Sequence, residues 1–322
     1  ENGVRLAVED LNAQALVIGG KKIKFELAAE DDAGDPRQAT AVAQKLCDQK
    51  VAGVVGHLQS GTSIPASAVY AKCDMPHITA SASNPDLTKP GHKTTFRLIA
   101  NDNALGAALA LFGADHLKIK TVAIIDDRTA YGQGVASVFK ATALQKGVKV
   151  VGEEFTNDKA TDFMAILTSI KNKKPDAIFY GGLDAQAGPM LRQMEQLGLS
   201  GVKYFGGDAL CTEKLPELAS KTQALKNVTC ATGGASVDKM QGGADWKKRY
   251  DAKFPGQFQI YSPYAYDATM VLADAMKRAN SVDPRVFNAF ISKTEYKGVT
   301  ANIAFTSKGE LTTPAVTLYT YK

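Results

Sequence analysis

The stretch "VAGVVGHLQSGTSIPASAVYAKC", residues 51–73, leaves an apolar run, enters a cluster of Gly, Ser and Thr, and emerges as an amphipathic segment. It reads as a strand over 51–56, a polar loop, and a helix over 62–73. The same unit recurs on either side. "IKFELAA" (23–29) reads as a strand before a helix over 36–50, and "HITA" (77–80) as a strand before a helix over 101–117. "TVAIIDD" (121–127) is a buried strand ending in acid. A second series then gives helices over 132–146, 160–172 and 185–197, with strands over 148–155, 177–182 and 202–207. In the middle helix, Phe163, Ile166, Leu167 and Ile170 fall on one face. Strands separated by helices of about 10 to 15 residues imply βαβ units, and hence parallel sheets covered by helices.

Two such series, before and after about residue 100, predict an α/β chain of two doubly wound lobes. The 322 residues suit two domains of ordinary size. The tail departs from the pattern: a long helix over 263–280, a hairpin-like turn over 298–311, and a last strand over 315–322. The start departs too. "ENGVRLAVEDLNAQA" is helical, with Val4, Ala7, Val8 and Leu11 on one face, whereas such lobes ordinarily open with a strand. A strand and its loop are therefore expected upstream of residue 1.

Composition excludes several functions. No apolar run approaches the roughly 20 residues of a membrane helix. A secretory signal is not visible, as expected of a mature chain that has lost one. The net charge of +5 comes from dispersed lysines without interleaved aromatics, which argues against nucleic-acid binding. Cys47, Cys73, Cys211 and Cys230 form no CxxC pair and have no histidine at ligand spacing, which argues against zinc. Their even number leaves open two disulfides or four buried thiols.

Ligands of open parallel sheets bind at the carboxyl ends of strands, so the loops there are best read together. They are 56–63, 79–88, 126–134, 181–188 and 206–214. The first lacks the phosphate-loop and dinucleotide spacings. Ser60 is flanked by Leu58 and Thr62 rather than glycines, so it is no nucleophile elbow. His57 reads as a structural imidazole, and none of the four histidines sits in a catalytic motif. No metal or cofactor is expected. What remains is Ser60, Gly61, Thr62 and Ser63 at a helix start, with Ser81, Ser83 and Asn84 on the neighbouring loop. These could present N–H and O–H donors to an anion. The bland alternative is plain N-capping. Two adjacent loops of this kind, with Tyr131 and Asp208 expected opposite, favour a ligand.

Five motifs in order, "AAEDDAGDPRQA", "GHLQSGTSIPAS", "YGQG" after "IIDD", "FYGG" and "FGGD", resemble the periplasmic branched-chain amino-acid binding proteins. These are the Leu/Ile/Val-type receptors of bacterial ABC importers, with the type I periplasmic-binding fold. The resemblance runs over essentially the whole chain. It implies a periplasmic, monomeric receptor that closes on an amino acid and docks on a membrane permease. It also implies three crossovers, with one lobe of 1–101 plus 231–308 and the other of 102–230 plus 309–322.

By the same resemblance, Ser60 and Ser83 take the ligand's carboxylate, with Gly61 and Thr62 beside them. The Ser81 carbonyl and Asp208 meet the ammonium, Tyr131 closes over the ligand, and Leu183 lines the side-chain pocket, all in one interlobe cleft. Charge-assisted hydrogen bonds suit the two ends of a zwitterion. This chain departs from the family in having Leu183 for a usual tyrosine and Asp208 for a usual glutamate. It also has Gly34, opposite Gln59, in place of a usual first-lobe disulfide. Cys211–Cys230 and Cys47–Cys73 are the expected pairs. The competing classes are an enzyme on the same scaffold, for which no base, nucleophile or cofactor loop has the right spacing, and a regulator, which would need a DNA-binding helix pair. Within the receptor class, a carboxylate without an amine, or an amide, is the alternative ligand.

Overall fold

The computed structural model describes residues 1–322. The chain divides into two compact units, one of Glu1–Ala100 with Gly234–Ala315, the other of Asn101–Gly233 with Val316–Lys322. Residues 101 and 231–233, expected with the first unit, belong to the second, and residues 309–315, expected with the second, belong to the first. A Phe305–Leu311 bridge and the Thr312 N–H donating to Ala304 O (3.0 Å) close a hairpin there and hold it with its own unit.

In unit 1, the strands Val54–Val55, His77–Thr79 and Thr95–Arg97 form a parallel sheet in that order. The helix Ser60–Lys72 follows the first strand. Helix Pro36–Asp48 packs on it; its N-cap Asp35 accepts from the N–H groups of Arg37 and Gln38, and Pro36 needs no donor partner at that position. The starting helix, Asn2–Ala13, packs on the long helix Ser262–Ala279, which ends where Asn280 turns left-handed. The main core of the unit gathers Ile78, Phe96, Ala268, Val271, Phe287 and Ile291, all buried.

The segment 23–29 is not a strand. Ile23 and Phe25 do pack against that core, as the alternating pattern implied. No strand lies beside them to complete a ladder. Instead the Asn12 side chain accepts from Phe25 N–H (2.7 Å) and donates to Phe25 O (2.9 Å), satisfying the two backbone groups a neighbouring strand would have paired. Sequence periodicity missed the short helices Gly243–Lys253 and Pro284–Ile291.

Unit 2 holds a six-stranded sheet. Its order is Thr317–Thr320, Val228–Thr232, Lys203–Gly206, Ala177–Gly181, Thr121–Asp126, Lys149–Phe155, all parallel except the first. Every residue of Ala177–Gly181 is buried, as a central parallel strand requires. Helices Asp102–Leu111 and Ala130–Gln145 cover one face, where Phe139 stacks on Phe179 at 4.2 Å. Of the four residues read as one face, Phe163, Leu167 and Ile170 are buried at helix Met164–Lys173, and Ile166 is only half-buried.

Both cysteine pairs are bridged. Cys47–Cys73 links the ends of two packed helices in unit 1. In unit 2, Cys211–Cys230 ties the segment after Lys203–Gly206 to the next strand. Gly34 stands against Gln59, since a Cβ there would lie 3.1 Å from Gln59 Nε2.

Candidate functional site

In unit 1 the serine loops follow two neighbouring parallel strands, so the chain delivers them side by side. Ser60 opens a thirteen-residue helix whose N-cap, Gln59, gives no side-chain cap. The first-turn N–H groups are thus left to something else, and the plain-capping alternative does not describe this loop. Thr62 Oγ1 donates to Gln59 O (3.0 Å), and Ser63 Oγ to His57 O (3.1 Å). Ser81 Oγ donates to Leu58 O (2.7 Å), fastening one loop to the other. Asn84 is an ordinary cap, its side chain accepting from Asp86 N–H (2.8 Å).

Two hydroxyls stand apart. Ser60 Oγ accepts from Asn84 N–H (3.2 Å), which leaves its own proton to donate. Ser83 Oγ is buried with no hydrogen-bond partner. A buried hydroxyl left without a partner is costly, which is the mark of a group waiting for one. Two O–H donors beside an uncapped helix start suit a carboxylate.

Behind these loops lies a network of titratable groups. His57 is buried, and its ring bonds Asp32 Oδ2 (2.6 Å) and Tyr70 OH (2.9 Å), which bears out the structural reading of this imidazole. The His57 carbonyl accepts from both Ser63 and Thr79 hydroxyls, each at 3.1 Å. His77 lies beneath, fully buried, its ring 6.1 Å from that of His57. Burial, and then the nearby His57, push its pKa down to about 3.

In unit 2 the candidate residues sit at the carboxyl ends of three adjacent strands. Tyr131 begins the helix after Thr121–Asp126, Leu183 is the N-cap after Ala177–Gly181, and Asp208 follows Lys203–Gly206. Tyr131 and Asp208 are brought together: Ala209 N–H is shared between Tyr131 OH (3.3 Å) and Asp208 Oδ1 (3.1 Å). Leu183 packs on the cluster that holds Tyr131. Asp208 is 2% exposed. A carboxylate so placed favours a cationic ligand group.

Glycine makes this closeness possible. A Cβ on Gly207 would lie 2.4 Å from Tyr131 OH, and one on Gly132 would lie 2.1 Å from Asp127 Oδ1. Asp127, which sequence reasoning passed over, accepts from Thr129 N–H (3.0 Å) and Oγ1 (2.6 Å), and Thr129 caps the helix that carries Tyr131. Burial raises the Asp127 carboxyl above the ordinary range, a shift the Thr129 bonds only partly offset. Arg97 and Glu310 were also missed, because nothing in a one-dimensional pattern joins positions 213 residues apart.

A family model described as a periplasmic binding protein matches residues 1–322. The amino acid binding protein of Pseudomonas aeruginosa is 35% identical over 312 residues, 96% of this chain and 81% of that protein. Leu/Ile/Val-binding protein homolog 1 of Brucella suis is 33% identical over 324 residues, 100% of this chain and 85% of that protein. Among solved structures, the leucine binding protein LivK of Thermotoga maritima aligns with a TM-score of 0.90 at 25% identity, covering 100% of this chain and 89% of that one. The branched-chain amino acid transporter substrate binding protein LivJ of Streptococcus pneumoniae, solved with isoleucine, gives 0.88 at 26%, covering 99% and 90%. On the full-length match and the shared α/β architecture, this chain belongs to the periplasmic binding protein family and has its type I fold.

Proposed function

We propose that this protein is the periplasmic receptor of an ABC importer, and that it binds a small branched-chain or other apolar amino acid without chemical turnover. The observation that carries the reading is a pair of complementary groups, donors in one unit and an acceptor in the other. Unit 1 supplies the Ser60 and Ser83 hydroxyls at an uncapped helix start; unit 2 supplies the buried Asp208 carboxylate beside Tyr131. The first set suits a carboxylate and the second an ammonium, the two ends of a zwitterion. Leu183 gives the side-chain region an apolar wall, where burial contributes about 25 cal/mol per Å². Relatives named for Leu, Ile and Val, and a structural neighbour holding isoleucine, support the ligand class. Delivery to a membrane permease follows from the same family role.

A thermal-shift screen with the twenty amino acids, small amides and aliphatic and aromatic acids tests this. A ligand at about a hundred times its Kd adds about 2.7 kcal/mol of stability. Leucine, isoleucine or valine should raise the midpoint by several degrees. A shift by simple acids or amides alone, with every amino acid silent, would replace the amino-acid reading with one of those classes.

A further inference from the structure

Arg97 is the largest fully buried side chain of the molecule, at 0% exposure, and it ends the strand Thr95–Arg97. A guanidinium has five N–H donors, and here all five are used. Nε donates to Glu310 Oε2 (3.0 Å), and Nη2 to Glu310 Oε1 (2.5 Å) and Thr88 Oγ1 (3.3 Å). Nη1 divides its two protons between Ala82 O (2.8 Å) and Asn84 O (2.9 Å). Those carbonyls flank Ser83, whose buried Oγ has no partner. The Asn84 N–H in turn bonds Ser60 Oγ at 3.2 Å.

Glu310 is itself placed with care. Arg97 N–H donates to Gly309 O (2.9 Å), and a Cβ on Gly309 would lie 2.1 Å from Thr95 O. With φ at +77°, position 309 accepts glycine and little else. The turn Thr306–Glu310 therefore lies flush on the strand, and its carboxylate meets the guanidinium fork to fork. Thr88 Oγ1 adds a bond to Glu310 Oε1 (2.5 Å).

We propose that Arg97, locked by Glu310, is a positioning residue for recognition of the ligand's carboxylate. Through the carbonyls of Ala82 and Asn84 it fixes the backbone on both sides of Ser83, and through Asn84 it sets the orientation of Ser60. The inference rests on the reading that Ser60 and Ser83 meet a carboxylate. A pair that merely stabilised unit 1 would need no contact with the two carbonyls that flank the buried, unpartnered Ser83 hydroxyl. One ammonium cannot reproduce this pattern, because it offers three donors from a single point.

The experiment compares wild type, Arg97→Lys and Glu310→Gln in calorimetric titrations with leucine and with leucinamide, which keeps the ammonium and lacks the carboxylate. Arg97→Lys should weaken leucine binding about tenfold or more, the scale of one spoiled charge-assisted bond. Leucinamide affinity should change much less, so the preference for leucine over its amide narrows. Glu310→Gln should move both in the same direction by a smaller factor, and it carries the test if Arg97→Lys does not fold. A variant with a lowered melting temperature but wild-type leucine affinity and leucine-to-leucinamide ratio would overturn the proposal.

Hydrogen exchange of the ligand-free proteins supplies the independent readout. Amides at 83–88 should exchange faster in the variants while those in the helix Ser262–Ala279 keep their rates. Unchanged exchange at 83–88 would overturn the positioning role. Should the wild type bind no amino acid, the functional reading falls, and the exchange result still decides what Arg97 does.

Discussion

The loops of unit 1 and those of unit 2 are held in place by different means. In unit 1, polar side chains do most of this by reaching across from distant segments: Asp32 and Tyr70 grip His57, and Glu310, set by the close approach of Gly309 to Thr95, grips Arg97. In unit 2, the backbone itself closes up, with Gly132 against Gly181 and Gly207 against the Tyr131 ring. On the proposed function, the chemistry each unit would present explains the difference. Neutral hydroxyls aimed at a carboxylate need exact placement without a charge of their own at the surface, so the charges stand behind them. A carboxylate aimed at an ammonium carries its own charge, and it needs an unyielding floor that keeps it from drifting toward other donors. Side-chain networks yield by degrees when altered. Backbone contacts fail abruptly.

The sharpest way to break this comparison is Gly181→Ala. The added Cβ, on a buried strand, would lie 2.2 Å from Gly132 O and 2.9 Å from Gly132 C, backbone atoms of a helix start that cannot step aside. The loss should reach about 3 kcal/mol or more, at the upper end for overpacking. Denaturant unfolding followed by far-UV circular dichroism measures it. A loss below about 1 kcal/mol would mean that unit 2 is as compliant as unit 1.

A smaller effect sharpens the other side. His77 has its pKa pushed down to about 3 by burial, against about 6.5 in the unfolded chain. Between those values the unfolded state binds more protons, so stability rises with pH. The contribution is complete above about pH 6.5, and about 2 kcal/mol of it is lost by pH 5. Burial raises the carboxyls of Asp127 and Asp267, which act with the opposite sign because the folded chain then binds their protons more readily than the unfolded chain does. His77→Phe isolates the histidine. Trp246, the single tryptophan and buried in unit 1, reports the transition by its emission. Urea midpoints should fall from pH 7 to pH 5 in the wild type and change much less in the variant. Equal slopes in both would remove His77 as the cause.

The two units also differ in how much of them could be read in advance. Unit 2 was nearly transparent. Its central strands Thr121–Asp126 and Ala177–Gly181 are mostly apolar runs, and "YGQG", "FYGG" and "FGGD" mark the glycines that its close approaches demand. Tyr131, Leu183 and Asp208 fall at the ends of adjacent strands because local spacing and sheet order together put them there. Unit 1 was read less well. "IKFELAA" has the alternation of a strand, but a strand needs a neighbour, and Asn12 takes that place. The serine loops stand out by composition, but Ser60 and Ser83 were singled out among them only by the family resemblance, because which hydroxyl is left over depends on Leu58, His57 and Asn84 as partners. Nothing in the sequence singles out Arg97. Its meaning lies in Glu310 and in two carbonyls that only folding brings within reach.

The central claim, an amino-acid receptor whose ammonium partner is Asp208, is tested most directly by calorimetric affinities for leucine and for its des-amino analogue, 4-methylpentanoate, in wild type and Asp208→Ala. Removing one member of a buried, hydrogen-bonded charge pair costs about 2 to 5 kcal/mol. The account predicts a loss of that size for leucine with Asp208→Ala, and a far smaller change for the analogue, which has no ammonium to lose. Near-native leucine affinity in Asp208→Ala would contradict it.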